Sequence, residues 1–191
     1  MNSKEIIPNV FVIENYISKA TCDLLINSLS KDMHSTPRKN IFGGISGTDI
    51  NHIQYDLDDQ YNVAIDIYKT TLISIGNTIS NKLNINHKIK SYFFSCMKPG
   101  AKIGIHVDND YLAAGDTEEN QFLYDKNISA LLYLNNNYEG GDIRFTEYNK
   151  SIKPSPGTLI FFEGDSSKPH EVEEVISGDR YNIVLFYEPV N

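Results

Sequence analysis

The sequence predicts an α+β fold, mainly β: a double-stranded β-helix (jelly-roll) core with N-terminal supporting helices. Three observations carry this reading. The hydrophobic spacing changes near residue 90, from a helical three-and-four pattern to alternation. Beyond that point, about seven short alternating stretches are separated by turn signals. The length of 191 residues suits one domain, divided into 1–90 (helical support and a lid loop) and 91–188 (the jelly-roll core).

The elements follow in chain order. NVFVIENYI (9–17) reads as a short extended segment. Ser18 is a good N-cap for a helix over about 19–33, with Leu24, Leu25, Ile26 and Leu29 as its apolar face. Residues 34–55 break the pattern. Pro37, Gly43, Gly44 and Gly47 make a flexible loop of the length that serves as a lid. Residues 57–84 form the clearest helix, because Tyr61, Ile65, Tyr68, Leu72, Ile75, Ile79 and Leu83 fall on one stripe that can pack on a sheet. SYFFSCM, KIGIHVD, ISALLYLN, GDIRFTEY, GTLIFFE, HEVEEV and RYNIVLFYE then read as strands. Lys98–Pro99–Gly100, Asn135–Asn136–Asn137, Gly140–Gly141 and Pro154–Ser155–Pro156–Gly157 are turns between them. The polar stretch 109–127 is a second long loop.

Composition narrows the function classes. A net charge of −8, from 17 basic and 25 acidic residues, argues against a nucleic-acid partner, which needs basic surface to displace counterions. No apolar run approaches the roughly 18 residues of a membrane span, and the start lacks a basic segment followed by an apolar block. Cys22 and Cys96 are too few to staple a fold of this size, so a reducing cytoplasmic setting is expected.

The chemistry starts at IGIHVDND. In a strand, alternate side chains share a face, so His106 and Asp108 point the same way while Ile103, Ile105 and Val107 are expected to face the core. Their Cα atoms lie about 6.5–7 Å apart, close enough for both side chains to meet one ion. Alone, this pair is a weak signal. His34 and His52 lie in the Gly-rich loop and His87 in a polar link, where solvated imidazoles are the simpler reading. His170 opens a strand immediately after Pro169. Two histidines and one carboxylate with open positions suit non-haem Fe(II) oxygenase chemistry, and zinc with a water is the competing metal. Arg180 opens the apolar strand RYNIVLFYE ten residues later. A buried guanidinium needs a carboxylate, supplied either by an internal Asp or Glu or by an acidic ligand. Beside the triad, 2-oxoglutarate is a ligand that fits.

His106–Val107–Asp108, LLYLNNNYEGGDIRF (131–145), KPSPGTLIFFE (153–163) and PHEV with SGDRYNIVLFY (169–187) occur in this order. Over about residues 90–188 the chain resembles the Fe(II)/2-oxoglutarate dioxygenases of the prolyl 4-hydroxylase type, leaning towards the oxygen-sensor-like prolyl hydroxylases and their microbial relatives. The opening NVFVIENYISKATCDLLI is similar to the family's first strand and helix. The resemblance implies that His106, Asp108 and His170 hold Fe(II), and that Arg180 binds the distal carboxylate of 2-oxoglutarate with help from Tyr133. It also implies O2 as co-reactant, ascorbate as an accessory reductant, and a peptide or protein carrying the target proline as partner. In one place the chain departs from the pattern. Many prolyl hydroxylases carry a tyrosine nine residues before the first iron histidine, and Met97 stands there, so its hydrogen bond is expected from another residue, Tyr92.

Related halogenases leave the carboxylate position to chloride, so Asp108 favours hydroxylation. Nucleic-acid repair dioxygenases resemble one another in a second arginine six residues after the first, where this chain has Phe186. Loops 34–50 and 109–127 are where a substrate cover is expected, and Arg38 or Arg144 could contact substrate. A free amino acid or other small molecule remains an alternative substrate. A catalytically silent jelly-roll binding module and a zinc hydrolase are the readings from other classes, and the second gives Arg180 no role.

Overall fold

The computed structural model describes residues 3–32, 52–55, 62–108 and 127–190. Strands β1 (Lys4–Ile7) and β2 (Val10–Ile13) form a hairpin whose turn residue Asn9 takes a φ of 61°. Helix α1 (Lys19–Asp32) begins where expected, because the Ser18 Oγ accepts a hydrogen bond from the Thr21 amide at 3.1 Å. Helix α2 (Asn62–Leu83) buries Tyr68, Leu72, Ile75 and Ile79 of the predicted stripe, with Leu83 partly buried. It stops at Asn84, which takes a left-handed φ of 54° while the Ile85 amide bonds the Ser80 carbonyl at 3.2 Å.

The predicted period-two region supplies most of the remaining strands. They are β4 (His87–Met97), β5 (Ile103–His106), β6 (Ile128–Tyr133), β7 (Glu139–Gly140), β8 (Ile143–Phe145), β9 (Lys150–Ile152), β10 (Leu159–Glu163), β11 (His170–Val172), β12 (Val175–Ser177) and β13 (Arg180–Pro189). All pairings are antiparallel. With β3 (His52–Tyr55), the large sheet runs β1-β2-β10-β6-β13-β4-β3, and the small sheet runs β5-β11-β8-β9.

Three details differ from the sequence reading. The first 90 residues hold β1, β2 and β3 as well as helices, all added to the edges of the large sheet. β3 falls in the expected loop because β4 offers it a ladder of backbone partners, from His52 opposite Met97 to Tyr55 opposite Phe94. HEVEEV is also not one strand. After Val172 the backbone leaves the small sheet, the Glu174 carbonyl accepts from the Gly141 amide, and Val175 pairs with Gly140 of β7. The remainder of the Gly-rich loop 34–55 and all of 109–126 lie outside the described residues, along with Arg38 and His34.

Period-two alternation divides the large sheet into two apolar faces. One face carries Phe11, Phe94, Leu132, Phe161, Ile183, Leu185 and Tyr187 against α1 and α2. Gly76 lets α2 approach β13, since a Cβ there would stand 3.0 Å from Tyr187 Cε1, and the Tyr187 hydroxyl donates to the Leu72 carbonyl at 2.9 Å. Ile75 is fully buried in this layer. Ile75→Ala is expected to lower stability by about 2–5 kcal/mol, seen as a lower urea midpoint at unchanged slope. The other face carries Val10, Leu131, Tyr133, Ile160 and Phe162 against Ile143 and Phe145 of the small sheet. This second layer is the inside of the double sheet, where the site lies. Among the described residues, no helix is long and apolar enough to cross a membrane.

Candidate active site

The site begins with a register. β5 and β11 are antiparallel neighbours with His106 directly opposite His170, and the two rings lie 4.4 Å apart between centroids. Asp108 follows two residues beyond His106, and the ligand atoms of the three side chains all lie within 4.8 Å of one another. His106 Nδ1 meets the Gly104 carbonyl at 2.8 Å, and His170 Nδ1 meets the Lys168 carbonyl at 2.9 Å. These bonds place a proton on each Nδ1 and leave each Nε2 as a lone pair. Both lone pairs turn towards one carboxylate, Nε2 of His106 at 3.4 Å from Asp108 Oδ1 and Nε2 of His170 at 3.6 Å from Oδ2. Three electron-pair donors converging on one point are what a divalent cation requires.

The electrostatics agree with that arrangement. Burial pushes the Asp108 carboxyl up, but His170 and His106 outweigh it and hold the group at about 2. The group is therefore an anion throughout the neutral range. Burial lowers the His170 pKa, and the neighbouring His106 adds to this against the pull of Asp108. His170 is thus a neutral imidazole in the neutral range, its Nε2 lone pair free for a metal. Burial opposes protonation of His106 too, but Asp108 favours the cationic ring, accepting from its Nε2–H and adding its charge, and so raises its pKa; a metal ion would take the place of that Nε2 proton. Phe162 meets the His170 ring edge-on at 5.1 Å between centroids, and Phe145 lies at 5.7 Å. These rings wall the site on the core side.

The same aromatic layer leads to Arg180. Phe145 and Phe162 share a core cluster with Tyr133, whose hydroxyl accepts from Arg180 Nη2 at 3.0 Å. Arg180 is 1% exposed. Its Nη1 donates to Asn182 Oδ1 at 2.9 Å and to the Met97 thioether at 3.3 Å. A guanidinium carries five N–H donors, so two remain, one of them the buried Nε–H, which has no partner. Among the described residues, no Asp or Glu oxygen comes within 4.0 Å of this cation. A buried guanidinium with spare donors and no carboxylate at ion-pair distance among the described residues has the chemistry to pair with an acidic ligand. The backbone is shaped for it: Gly141 has a φ of 63°, and a Cβ there would lie 3.0 Å from Arg180 Cδ.

Residues 92–188 match the family model of the 2OG-Fe(II) oxygenase superfamily. The chain belongs to that superfamily. Its members use Fe(II), 2-oxoglutarate and O2, and the donors described above suit the first two: two imidazoles and a carboxylate for the metal, an unpaired buried arginine for the acid. Among relatives, prolyl 3-hydroxylase 2 of Rattus norvegicus is 36% identical over 94 residues, which cover 44% of this chain and 13% of that protein. The chain thus spans only a small part of the prolyl 3-hydroxylases that it matches. A PKHD-type hydroxylase of Prochlorococcus marinus is 25% identical over 177 residues, covering 90% of this oxygenase and 74% of the relative. Two solved structures share the fold. A viral collagen prolyl hydroxylase from Paramecium Bursaria Chlorella virus-1 has a TM-score of 0.69 at 20% identity, covering 96% of this chain and 97% of that one. A Pseudomonas putida prolyl-4-hydroxylase has a TM-score of 0.70 at 17% identity, covering 96% and 94%. The double-sheet core expected from the sequence is therefore the jelly roll of the prolyl hydroxylases.

Of the residues singled out in sequence, the fold of this oxygenase gathers His106, Asp108 and His170 into one cluster and brings Tyr133 to Arg180. It does not bring Tyr92 there. Tyr92 sits on the helical face of β4, its ring 5.8 Å from that of Tyr68 on α2, and so cannot replace the hydrogen bond lost at Met97. Strand parity explains this: Met97 and Tyr92 are an odd number of residues apart and face opposite sides of the sheet. The expectation that Ile105 faces the core is also corrected, since it is 65% exposed. The β5–β11 ladder slips register between the His106–His170 and Ile103–Val172 pairs, so one extra residue stands on β5: Ile103 still packs against Met97, Val172 and Val175, while Ile105 turns to solvent. Arg144 pairs across strands with Glu171 at 3.4 Å, on the alternate face from the inward Ile143 and Phe145. His87 opens β4 at the end away from Met97. Asn182 was missed. It is the one amide in the apolar run after Arg180, two residues on and therefore on the same face.

Proposed function

We propose that this oxygenase is an Fe(II)/2-oxoglutarate-dependent hydroxylase acting on prolyl residues of a peptide or protein. In this reading His106, Asp108 and His170 hold the metal, and Arg180 with Tyr133 receives the distal carboxylate of 2-oxoglutarate. The observation that carries it is Arg180, buried with an unpartnered Nε–H and no ion-pair partner among the described residues, joined through Tyr133 to the aromatic cluster whose Phe145 and Phe162 pack on His170. The class of substrate is supported by the relatives, which include prolyl 3-hydroxylases and a PKHD-type hydroxylase.

Bound Fe(II) supplies the activation of O2 that couples decarboxylation of 2-oxoglutarate, giving succinate and carbon dioxide, to insertion of one oxygen atom into a C–H bond. The chain's own residues do the rest. The Nδ1 bonds to Gly104 and Lys168 fix both imidazoles, so the ligand set is preorganised. Asn182, Met97 and Tyr133 hold the Arg180 guanidinium in one orientation and leave its remaining donors for the acid. Phe145 and Phe162 keep water from the buried side of His170. Ascorbate has an accessory role as reductant. Cys22 and Cys96 are both free and buried, in keeping with a reducing compartment such as the cytoplasm.

The test is turnover with Fe(II), 2-oxoglutarate and a panel of proline-containing peptides. Succinate should form only with metal present, and a peptide should gain the mass of one oxygen atom on proline. Succinate formation that persists in His106→Ala, or oxygen gained at residues other than proline, would refute the respective part of the reading.

A further inference from the structure

A second tyrosine lies against Arg180 and has no assigned work. Tyr138 is 4% exposed, and its hydroxyl is buried without a hydrogen-bond partner. A buried hydroxyl left unpaired costs roughly 1–3 kcal/mol, so its position calls for a reason. Its ring is not loosely placed. The Tyr138 carbonyl accepts from Lys153 Nζ at 2.6 Å, and the same ammonium sits 5.0 Å from the ring centroid. The ring edge closes on Gly141: a Cβ at that position would lie 3.4 Å from Tyr138 Cε2 and 3.0 Å from Arg180 Cδ. Glycine thus brings phenol and guanidinium side by side. The Arg180 guanidinium, Tyr133 and the Asp142 carboxyl all bear on the hydroxyl's proton. Burial outweighs the guanidinium and pushes the Tyr138 pKa up to about 12, which keeps the hydroxyl a neutral donor.

We infer that Tyr138 is a further ligand of the acidic cosubstrate, donating a hydrogen bond from its hydroxyl to the carboxylate received by Arg180. The inference rests on the 2-oxoglutarate reading above and extends it to a residue outside that set. Donor counting supports it. A carboxylate offers about four lone-pair sites. The Tyr133 hydroxyl accepts from Arg180 Nη2, so its own hydrogen is free to donate. Arg180 retains its Nε–H and one Nη2–H. These three donors leave one lone pair of the carboxylate, and the unpartnered Tyr138 hydroxyl is the buried donor beside them. The same step accounts for Met97. Its thioether accepts from Arg180 and donates nothing, so a donor to the acid must come from elsewhere, and Tyr138 supplies it where Tyr92 does not.

The test is equilibrium binding to the Mn(II)-loaded protein without O2, measured by calorimetry for 2-oxoglutarate and for oxalate. Oxalate has a chelating end and no distal carboxylate. Tyr138→Phe removes only the hydroxyl and keeps the ring that packs on Gly141. It should weaken 2-oxoglutarate binding at least about tenfold and leave oxalate binding unchanged. In turnover, the KM for 2-oxoglutarate should rise with little change in kcat. Equal 2-oxoglutarate affinity in wild type and variant would overturn the inference, and so would an equal loss for both ligands. A wild-type protein that binds oxalate but not 2-oxoglutarate would instead refute the cosubstrate reading, and Tyr138 with it.

Discussion

Arg180→Met is expected to abolish the use of 2-oxoglutarate while leaving metal binding intact. Removing one partner of a buried, hydrogen-bonded charge pair costs about 2–5 kcal/mol, or roughly 30-fold and upward in affinity. The guanidinium is 1% exposed, so water cannot take over its role. Methionine has a similar reach and fills the space, so the effect is not one of a cavity. A thermal measurement separates the consequences. In the Mn(II)-loaded wild type, 2-oxoglutarate at about 100 times its Kd adds about 2.7 kcal/mol of stability. For a domain of this size that is a rise of about 5–10 °C in Tm. The variant should show none of it and should still respond to the metal. Arg180→Lys should fall between, because an ammonium keeps the charge but loses the fork of donors that a carboxylate fits. An undiminished 2-oxoglutarate shift in Arg180→Met would sink the assignment.

Asp108→Asn should eliminate both tight metal binding and turnover. The substitution is isosteric and removes only the negative charge. His106 and His170 approach that carboxylate at 3.4 and 3.6 Å through their Nε2 atoms, and an amide cannot join them as an anionic ligand. Loss of an outer-shell partner alone costs about 10- to 100-fold in metal affinity, and loss of a ligand should exceed it. Calorimetric titration with Mn(II) should show the loss directly, with succinate formation below detection when Fe(II) is supplied. The fold should survive, since Asp108 lies just beyond β5 and outside the buried clusters. Full activity in this variant would require another third ligand, and among the described residues no other acidic, histidine or cysteine group completes such a cluster.

Much of this was readable from local pattern. The α2 stripe emerged as a buried face, because helical spacing and packing on a sheet demand the same positions. The β-strands from residue 90 onward followed alternation and turn residues closely. His106 and Asp108 share a side for the same reason, and Arg180 at the head of an apolar strand implied a buried cation in need of an acid. Period two states which residues lie together on a strand. It states neither which side is the interior nor where a strand slips its register, and that is where the choice of Tyr92 and the reading of Ile105 went astray.

Local pattern thus specified the chemical groups and their sharing of faces: the helical buttress, the alternating strands, the histidine and carboxylate two residues apart, and the arginine. How they meet was set by the folded chain. It set His170 opposite His106 across the β5–β11 ladder. It left Arg180 without an ion-pair partner among the described residues and with an unpartnered Nε–H, turned Tyr92 to the helices, and folded Tyr138 back over Gly141 against the guanidinium. The difference lies in the range of the interactions. Alternation and capping act between neighbours in sequence, whereas ladder register and the pairing of a buried charge depend on strands far apart in the chain, whose meeting is settled only when the double sheet closes.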